Sequence, residues 1–210
     1  PWNELNVGLL SGDLAADVHQ NRALVAQVLG VPAVYLRQVH GTQGVTVTSS
    51  TPPNTEADVA WTTQSGVALA IMAADCLPIL VCHPQAKWVA GAHAGWRGLA
   101  GQEGHGVVET LAQAARAQGL SPQDCVVWLG PCIGPSAFEV GEDVFAAFGS
   151  LIEKSDKPAN LCVQTSSTKY LVNLAGLARE RLKMAGFRSV HGNDSSLPWC
   201  TYRQIGRAHV

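Results

Sequence analysis

Three residues able to bind a metal or attack a substrate stand beside turn signals in this chain: His40, Cys76 and His93. Two imidazoles and one thiolate suit zinc or copper, and three protein ligands leave one coordination position open for chemistry. Each residue marks the end of a predicted buried strand, where loops often carry functional groups. Separate structural roles for the three residues remain an alternative, because the sequence does not show whether the strand ends meet.

A fixed positive charge follows in the segment Gly95-Trp96-Arg97-Gly98. The flanking glycines let the backbone approach an anion, and a guanidinium can bind that anion with two hydrogen bonds. A helix predicted after the turn would add its N-terminus to the anion site. Asp75, directly before Cys76, is either a strand-end cap or an acceptor that orients a ligand imidazole. Metal, thiolate and anion site together predict an enzyme.

The elements that must position these residues follow from the spacing of apolar side chains. Helical spacing predicts helices over 15–29, with Asp13 as the candidate cap, and over 107–119, 141–148 and 170–184. Strands are predicted at 34–39, 45–49, 58–62, 67–72, 79–82, 88–92, 126–129 and 188–190, with 67–72 buried on both faces. Strands concentrate early and helices late, which favours an α/β (α+β) fold with layered mixed sheets and outer helices.

Composition narrows the class of protein. The chain has 210 residues, of which 47% are hydrophobic, enough for a single domain over 1–210. A net charge of -2 without a basic stripe argues against nucleic acid as a partner, and no apolar run reaches membrane-spanning length. Six cysteines match no zinc or disulfide spacing, which predicts a reducing, cytoplasmic location and mostly buried thiols. A start at Pro1 is typical of a processed, trimmed or partial chain.

Motifs around the three candidate ligands make the chain recognisable. The central motifs are Arg37-Gln38-Val39-His40-Gly41, Ala73-Ala74-Asp75-Cys76-Leu77-Pro78 and Ala92-His93-Ala94-Gly95-Trp96-Arg97-Gly98. With these motifs the chain resembles the YfiH-type family, whose members are variously called laccase-domain proteins, multicopper polyphenol oxidases and purine nucleoside phosphorylases. Further matches are Leu5-Asn6-Val7-Gly8, Asn21-Arg22, Ala57-Asp58-Val59, Leu129-Gly130-Pro131-Cys132-Ile133-Gly134-Pro135 and Phe138-Glu139-Val140.

This resemblance implies a zinc site on His40, Cys76 and His93, and a compact fold with two related halves. It implies phosphorolysis of adenosine, inosine, guanosine and methylthioadenosine, with adenosine deamination as a side activity. The partners would then be a nucleoside and phosphate, in a monomer or weak homodimer. Arg97 is the first candidate for binding phosphate, and Arg22 and Asn6 are weaker candidates for the same pocket. Cys200-Thr201-Tyr202-Arg203 resembles part of a longer family segment, which leaves substrate roles for its last two residues open.

Other functions remain open beside phosphorolysis. The ligand types also permit copper, and the family's older assignment is copper-dependent phenol oxidation. Seven histidines without a His-x-His pair give that assignment little support. Cys76 and His93 could instead form the nucleophile and base of a metal-free hydrolase or amidase, acting on a small molecule or a peptidoglycan precursor. A binding protein without catalysis would need neither the thiolate nor an open metal position.

Overall fold

The computed structural model describes residues 5–204, which contain six α-helices and eleven β-strands. The helices are α1 (Ala15–Leu29), α2 (Trp96–Ala100), α3 (Val107–Ala117), α4 (Glu142–Glu153), α5 (Leu174–Ala185) and α6 (Thr201–Gln204). The strands are β1 (Ala33–Tyr35), β2 (Gly44–Thr46), β3 (Val59–Thr62), β4 (Ala68–Ala70), β5 (Leu77–Cys82), β6 (Val89–Ala94), β7 (Val126–Leu129), β8 (Glu139–Val140), β9 (Cys162–Gln164), β10 (Tyr170–Val172) and β11 (Ser189–Gly192).

The largest sheet has six strands in the order β11-β7-β5-β6-β3-β2. Its central pair, β5 and β6, is antiparallel, and on either side follow one antiparallel neighbour and one parallel edge strand. The pairing pattern is therefore symmetrical about the centre, as a fold with two related halves requires. This arrangement confirms the predicted mixed α/β class, and the strands predicted at 79–82 and 88–92 are observed as the antiparallel pair β5 and β6.

One face of this sheet carries the main core. Along β5, Leu77, Ile79 and Val81 are buried while Leu80 and Cys82 are exposed, so the strand alternates between core and surface. Helix α3 packs against β6 and α5, and its buried residues follow the predicted helical spacing. Helix α3 thereby covers β6, the strand that pairs with β5, and Cys76 directly precedes β5.

Two smaller sheets flank the large one, namely parallel β1-β4 and antiparallel β8-β10-β9. The second corrects the predicted helix over 170–184, because its first three residues form β10. The Asn173 side chain then accepts the Gly176 N–H at 2.9 Å, which caps α5 and starts the helix at Leu174. The predicted strand 67–72 is also shorter than expected, since β4 covers only Ala68–Ala70 and is half-buried.

The start of α1 differs from the sequence prediction as well. Leu14 occupies the cap position without a side-chain cap, and Asp13 lies one residue further out. The Asp13 carboxylate instead accepts the Leu14 N–H at 2.8 Å and the Asn6 side-chain amide at 2.9 Å. Asp13 therefore orders the loop before the helix and does not cap the helix. Among residues 5–204, no helix is both long and apolar enough to cross a membrane.

Candidate metal centre

The structure brings the three candidate ligands together at one end of the large sheet. His93 lies in β6 opposite Pro78, so Cys76 comes close to it from the start of β5. His40 reaches the same place from the loop between β1 and β2. The ligating atoms of His40, Cys76 and His93 all lie within 4.8 Å of one another. The sequence did not show whether the three residues meet. The β5–β6 pairing brings Cys76 to His93, and the loop between β1 and β2 adds His40.

A fourth residue, Asp58, connects two of the ligands. It is 1% exposed and precedes β3, beside β6. Its carboxylate accepts the backbone N–H groups of Val39, His40 and Gly41 at 3.1, 3.0 and 2.8 Å. The same carboxylate lies 2.8 Å from His93 Nδ1. Sequence reasoning gave Asp58 no role, although a carboxylate at the start of a buried strand was a signal that needed a partner.

The loop that carries His40 is also tied to the segment before Cys76. The Gln38 side-chain amide donates to the Met72 carbonyl at 2.6 Å and accepts the Met72 N–H at 2.8 Å. Gln38 lies beyond the end of β1, so the predicted strand to residue 39 stops short and a side chain provides the connection instead. His40 itself adopts φ 62°, a left-handed conformation that surrounding contacts must hold.

Charge and burial set the protonation of these groups. Burial lowers the pKa of His40, and the neighbouring His93 and Arg97 lower it further against the attraction of Asp58. Burial would raise the pKa of Asp58, but hydrogen bonds from His93, Gly41 and Val39 outweigh it and lower the pKa. Burial alone would lower the pKa of His93, yet its hydrogen bonds to Asp58 and Cys76 raise it to about 9. Asp58 is therefore an anion at neutral pH, and His40 is an uncharged imidazole that can ligate a metal.

This donor set fits a metal ion. Two imidazoles and one thiolate suit zinc or copper, and His93 Nδ1 bonded to a carboxylate leaves Nε2 as its ligating atom. There is no room for a side chain at Gly95, since a Cβ there would lie 2.8 Å from His40 Cδ2 and 3.0 Å from Cys76 Sγ. The chain can pass this close to the cluster only because residue 95 has no side chain.

The glycines around Arg97 serve packing. A Cβ at Gly98 would lie 2.7 Å from the Gly41 carbonyl oxygen, so Gly98 lets α2 rest against the His40 loop. Arg97 is exposed, and its guanidinium lies 4.4 Å from the centre of the Trp96 ring. Helix α2 begins at Trp96 but has only five residues, and α3 begins separately at Val107. Phosphate binding by Arg97 therefore stays a prediction that rests on the side chain.

The weaker candidates lie in the N-terminal loop, for Asn6, and in α1, for Arg22. Arg22 Nε donates to the Val7 carbonyl at 2.9 Å, and its guanidinium stacks 4.0 Å from the centre of the Tyr35 ring. Asn6 donates to Ser11 at 2.7 Å and to Asp13. These contacts order the loop on α1, and roles for Asn6 and Arg22 toward a substrate remain predictions.

Asp75 does not orient an imidazole in this structure. Its carboxylate accepts the Thr201 hydroxyl at 2.6 Å, so the connection to a ligand histidine belongs to Asp58 instead. The Thr201 contact fastens α6 beside Cys76. Arg203 in α6 lines a cavity of about 760 Å³ together with Gly134, Pro135, Ser195 and Ser196. Gly134 and Pro135, which end the family motif Leu129-Gly130-Pro131-Cys132-Ile133-Gly134-Pro135, thus supply part of a cavity wall.

Comparison with known proteins shows which family and which solved structures the chain is similar to. The model of a family described as "Multi-copper polyphenol oxidoreductase laccase" matches residues 1–207. The chain is 36% identical over 206 residues to "Purine nucleoside phosphorylase YfiH" of Escherichia coli, covering 97% of this chain and 79% of that protein. Among solved structures, Neisseria meningitidis protein NMB0706 superposes with a TM-score of 0.82 at 36% identity, over 96% of this chain and 81% of that one. YlmD from Geobacillus stearothermophilus gives 0.85 at 31% identity, over 96% and 76%.

Proposed function

The chain belongs to the YfiH-type, laccase-domain family of enzymes, and we propose that it is a zinc-dependent purine nucleoside phosphorylase with adenosine deaminase side activity. The observation that carries this proposal is the cluster of His40, Cys76 and His93, whose ligating atoms lie within 4.8 Å of one another. The printed name of the Escherichia coli relative, at 36% identity, supports the choice of reaction.

In this proposal, His40, Cys76 and His93 hold the zinc ion. Bound zinc supplies Lewis acidity and lowers the pKa of water, which serves both phosphorolysis and deamination. Phosphorolysis forms a bond from a phosphate oxygen to the anomeric carbon of ribose and breaks the bond from that carbon to the purine. The leaving purine takes the electron pair of the broken bond and gains one proton, which the attacking hydrogen phosphate loses.

Arg97 is the residue we propose for phosphate. Its exposed guanidinium lies near enough to the cluster to lower the pKa of His40, and it makes no ion pair among the described residues. A planar guanidinium can bind two phosphate oxygens at once, which would orient the nucleophile toward ribose. The contact with the Trp96 ring limits where the guanidinium can move.

We place the nucleoside in the cavity beside α6. Its volume of about 760 Å³ falls within the range of small-molecule sites, roughly 300–1,000 Å³. Arg203 and Ser195 in its wall offer hydrogen bonds to ribose or purine, and Thr201 connects that wall to Asp75, beside Cys76. Arg203 therefore becomes a candidate for contact with substrate.

A cysteine hydrolase is the second candidate, because one specific contact favours it. His93 bonds Asp58 on one side and Cys76 on the other, which is the order of groups in an acid–base–nucleophile triad. A triad needs no third ligand, so His40 separates the two mechanisms. Copper-dependent oxidation is less supported, since the described residues contain a single metal-capable cluster and blue multicopper oxidases need several metal sites.

Product analysis tests the proposal. Zinc-loaded protein is incubated with adenosine, with and without phosphate, and the products are separated by chromatography. Adenine that forms only with phosphate is the expected result, and inosine without phosphate would make deamination the main reaction. If neither forms and Cys76 is alkylated equally with and without zinc, the hydrolase mechanism replaces this proposal. The His40→Ala variant should lose phosphorolysis but would leave a Cys76–His93 hydrolase partly active.

We also propose a cytoplasmic location and a monomer or weak homodimer. All six cysteines carry free thiols, which suits a reducing compartment. Light scattering during size-exclusion chromatography, over a range of protein concentrations, will give the assembly state. A stable higher oligomer would contradict this part of the proposal.

A further inference from the structure

We propose that Asp58 is the positioning residue that assembles the metal centre, by holding both histidine ligands in place before a metal ion arrives. This inference rests on the proposed function, since it concerns the same His40, Cys76 and His93 cluster. It differs from that proposal in naming a residue that touches neither metal nor substrate. It also differs from the sequence prediction, which considered only Asp75 for such a role.

The carboxylate of Asp58 forms hydrogen bonds with two elements, the loop that carries His40 and strand β6. Oδ1 accepts the His40 N–H at 3.0 Å and lies 2.8 Å from His93 Nδ1. Oδ2 accepts the N–H groups of Val39 at 3.1 Å and Gly41 at 2.8 Å. The backbone adds a third connection, because the His93 N–H donates to the Asp58 carbonyl at 2.8 Å. A single buried residue thus joins the His40 loop to β6.

The bond to His93 determines which ring nitrogen can bind a metal. A carboxylate only accepts hydrogen bonds, so His93 Nδ1 must carry the proton that it shares with Asp58. Nε2 is then the nitrogen that faces Cys76, and its lone pair is free for a metal when the ring is neutral. Without Asp58 the ring could adopt the other tautomer and could rotate about its bond to the strand.

The bonds to the loop hold His40 in a conformation that it would not adopt alone. A φ of 62° lies in the left-handed region, which is costly for a residue with a side chain. Three converging N–H groups on one anion offset that cost, since hydrogen bonds to a charged acceptor are stronger than neutral ones. Substitution of Asp58 would therefore release His40 from the cluster as well as His93.

An amide cannot replace this carboxylate. Four N–H donors converge on the two oxygens of Asp58, and Asn would present one oxygen and one NH₂ group. The NH₂ group would face either two loop amides or the Nδ1–H of His93, so at least one pair of donors would meet. Asp58→Asn keeps the size of the side chain and removes this one property, which makes it the informative substitution.

Zinc affinity is the first measurement, made by chelator competition without any nucleoside. Asp58→Asn should weaken zinc binding by about 10- to 100-fold, the range typical of a lost carboxylate–histidine contact. Asp75→Asn is the matched control, because it makes the same chemical change next to Cys76 and should alter affinity by less than about threefold. Equal affinity in Asp58→Asn and the wild type would overturn the inference.

Proton NMR of zinc-loaded protein separates positioning from a general loss of stability. The wild type should show a downfield His93 Nδ1–H resonance, shielded from exchange by Asp58. That resonance should persist in Asp75→Asn and disappear in Asp58→Asn, even where both variants are equally folded. Its persistence in folded Asp58→Asn would show that another group fixes the ring.

Amide exchange in the metal-free wild type needs no variant and decides the case if Asp58→Asn does not fold. The amides of Val39, His40 and Gly41 should exchange at least about tenfold more slowly than in an unfolded chain. Protection that arises only after zinc is added would contradict assembly by Asp58. Failure of the wild type to bind zinc would instead overturn the zinc part of the proposed function. The amide exchange rates would still test whether Asp58 holds the His40 loop in place.

Discussion

Cys76 and Cys132 lie on adjacent loops at the same end of the large sheet, yet their surroundings are opposite. The loops are joined by a hydrogen bond from the Ile133 N–H to the Asp75 carbonyl, at 2.9 Å. Cys76 is half-buried and faces the imidazoles of His40 and His93. Cys132 is 1% exposed, and its sulfur accepts a hydrogen bond from the Asn193 amide at 3.3 Å.

The difference teaches that neighbours, not position on the sheet, decide what a thiol can do. Burial raises the pKa of Cys132 to about 12, and the hydrogen bond from Asn193 does not offset it. Since the thiolate is the form that ligates metals and attacks substrates, Cys132 is suited to packing alone. Cys76 has two nitrogen donors beside it, which is the setting of a ligand.

The strongest way to break this comparison is to remove the sulfur of Cys76. Cys76→Ala takes one of three ligands from the cluster, so we expect zinc binding and phosphorolysis to fall together, by more than about 100-fold. The melting temperature of the metal-free protein should change little, because Cys76 is not part of the buried core. Phosphorolysis retained at a tenth of the wild-type rate or more would rule out this cluster as the active site.

A methyl group next to Cys76 should have the next largest effect. In Gly95→Ala the new Cβ would lie 2.8 Å from His40 Cδ2 and 3.0 Å from Cys76 Sγ, so one ligand must move. We expect zinc affinity to fall by about tenfold or more, as measured by chelator competition.

Gly149→Ala is the matched control for that substitution. Gly149 lies in α4 and has no atom within 4 Å of the position that a Cβ would take. This control should leave zinc affinity unchanged and stabilise the protein by about 0.5–1 kcal/mol, through helix propensity. An equal loss of zinc affinity in both variants would mean that the steric argument at Gly95 is wrong.

At Cys132 the same sulfur deletion should show the opposite pattern. Cys132→Ala removes a buried atom, and we expect unfolding in denaturant to require about 1–2 kcal/mol less free energy. Zinc affinity should stay within about twofold of the wild type. A large loss of zinc affinity at unchanged stability would show that Cys132 supports the cluster, and the contrast with Cys76 would fail.

The sequence predicted much of the fold because the elements near the site obey local rules. Strand β5, α3 and the start of α1 at residue 15 follow from alternation and helical spacing. Strand β10 was wrongly assigned to a helix, because three apolar residues before a helix look like its first turn. The pairing of β10 with β8 and β9 decides that segment, and such non-local contacts leave no trace in local spacing.

The candidate site was predictable as residue types but not as a set of partners. His40, Cys76 and His93 stand out by chemistry, and the family resemblance groups them. Asp58 lies eighteen residues from His40 and thirty-five from His93, so no local pattern links it to either of them. Asp75 was the candidate because it is adjacent to Cys76 in the sequence. The contact between Asp58 and His93 instead depends on the pairing of β3 with β6.

Alkylation sharpens the comparison without changing any residue. In metal-free protein at pH 8, iodoacetamide should label exposed Cys82 and half-buried Cys76, as peptide mass spectrometry can measure. With a pKa of about 12, roughly one Cys132 side chain in ten thousand is a thiolate at that pH, so labelling of Cys132 should be negligible. Added zinc should protect Cys76 and leave Cys82 unchanged, which makes Cys82 the internal control. Because the pKa of Cys132 is raised, a shift from pH 7 to pH 9 should still leave it unlabelled, and rapid labelling there would mean that this loop opens in solution.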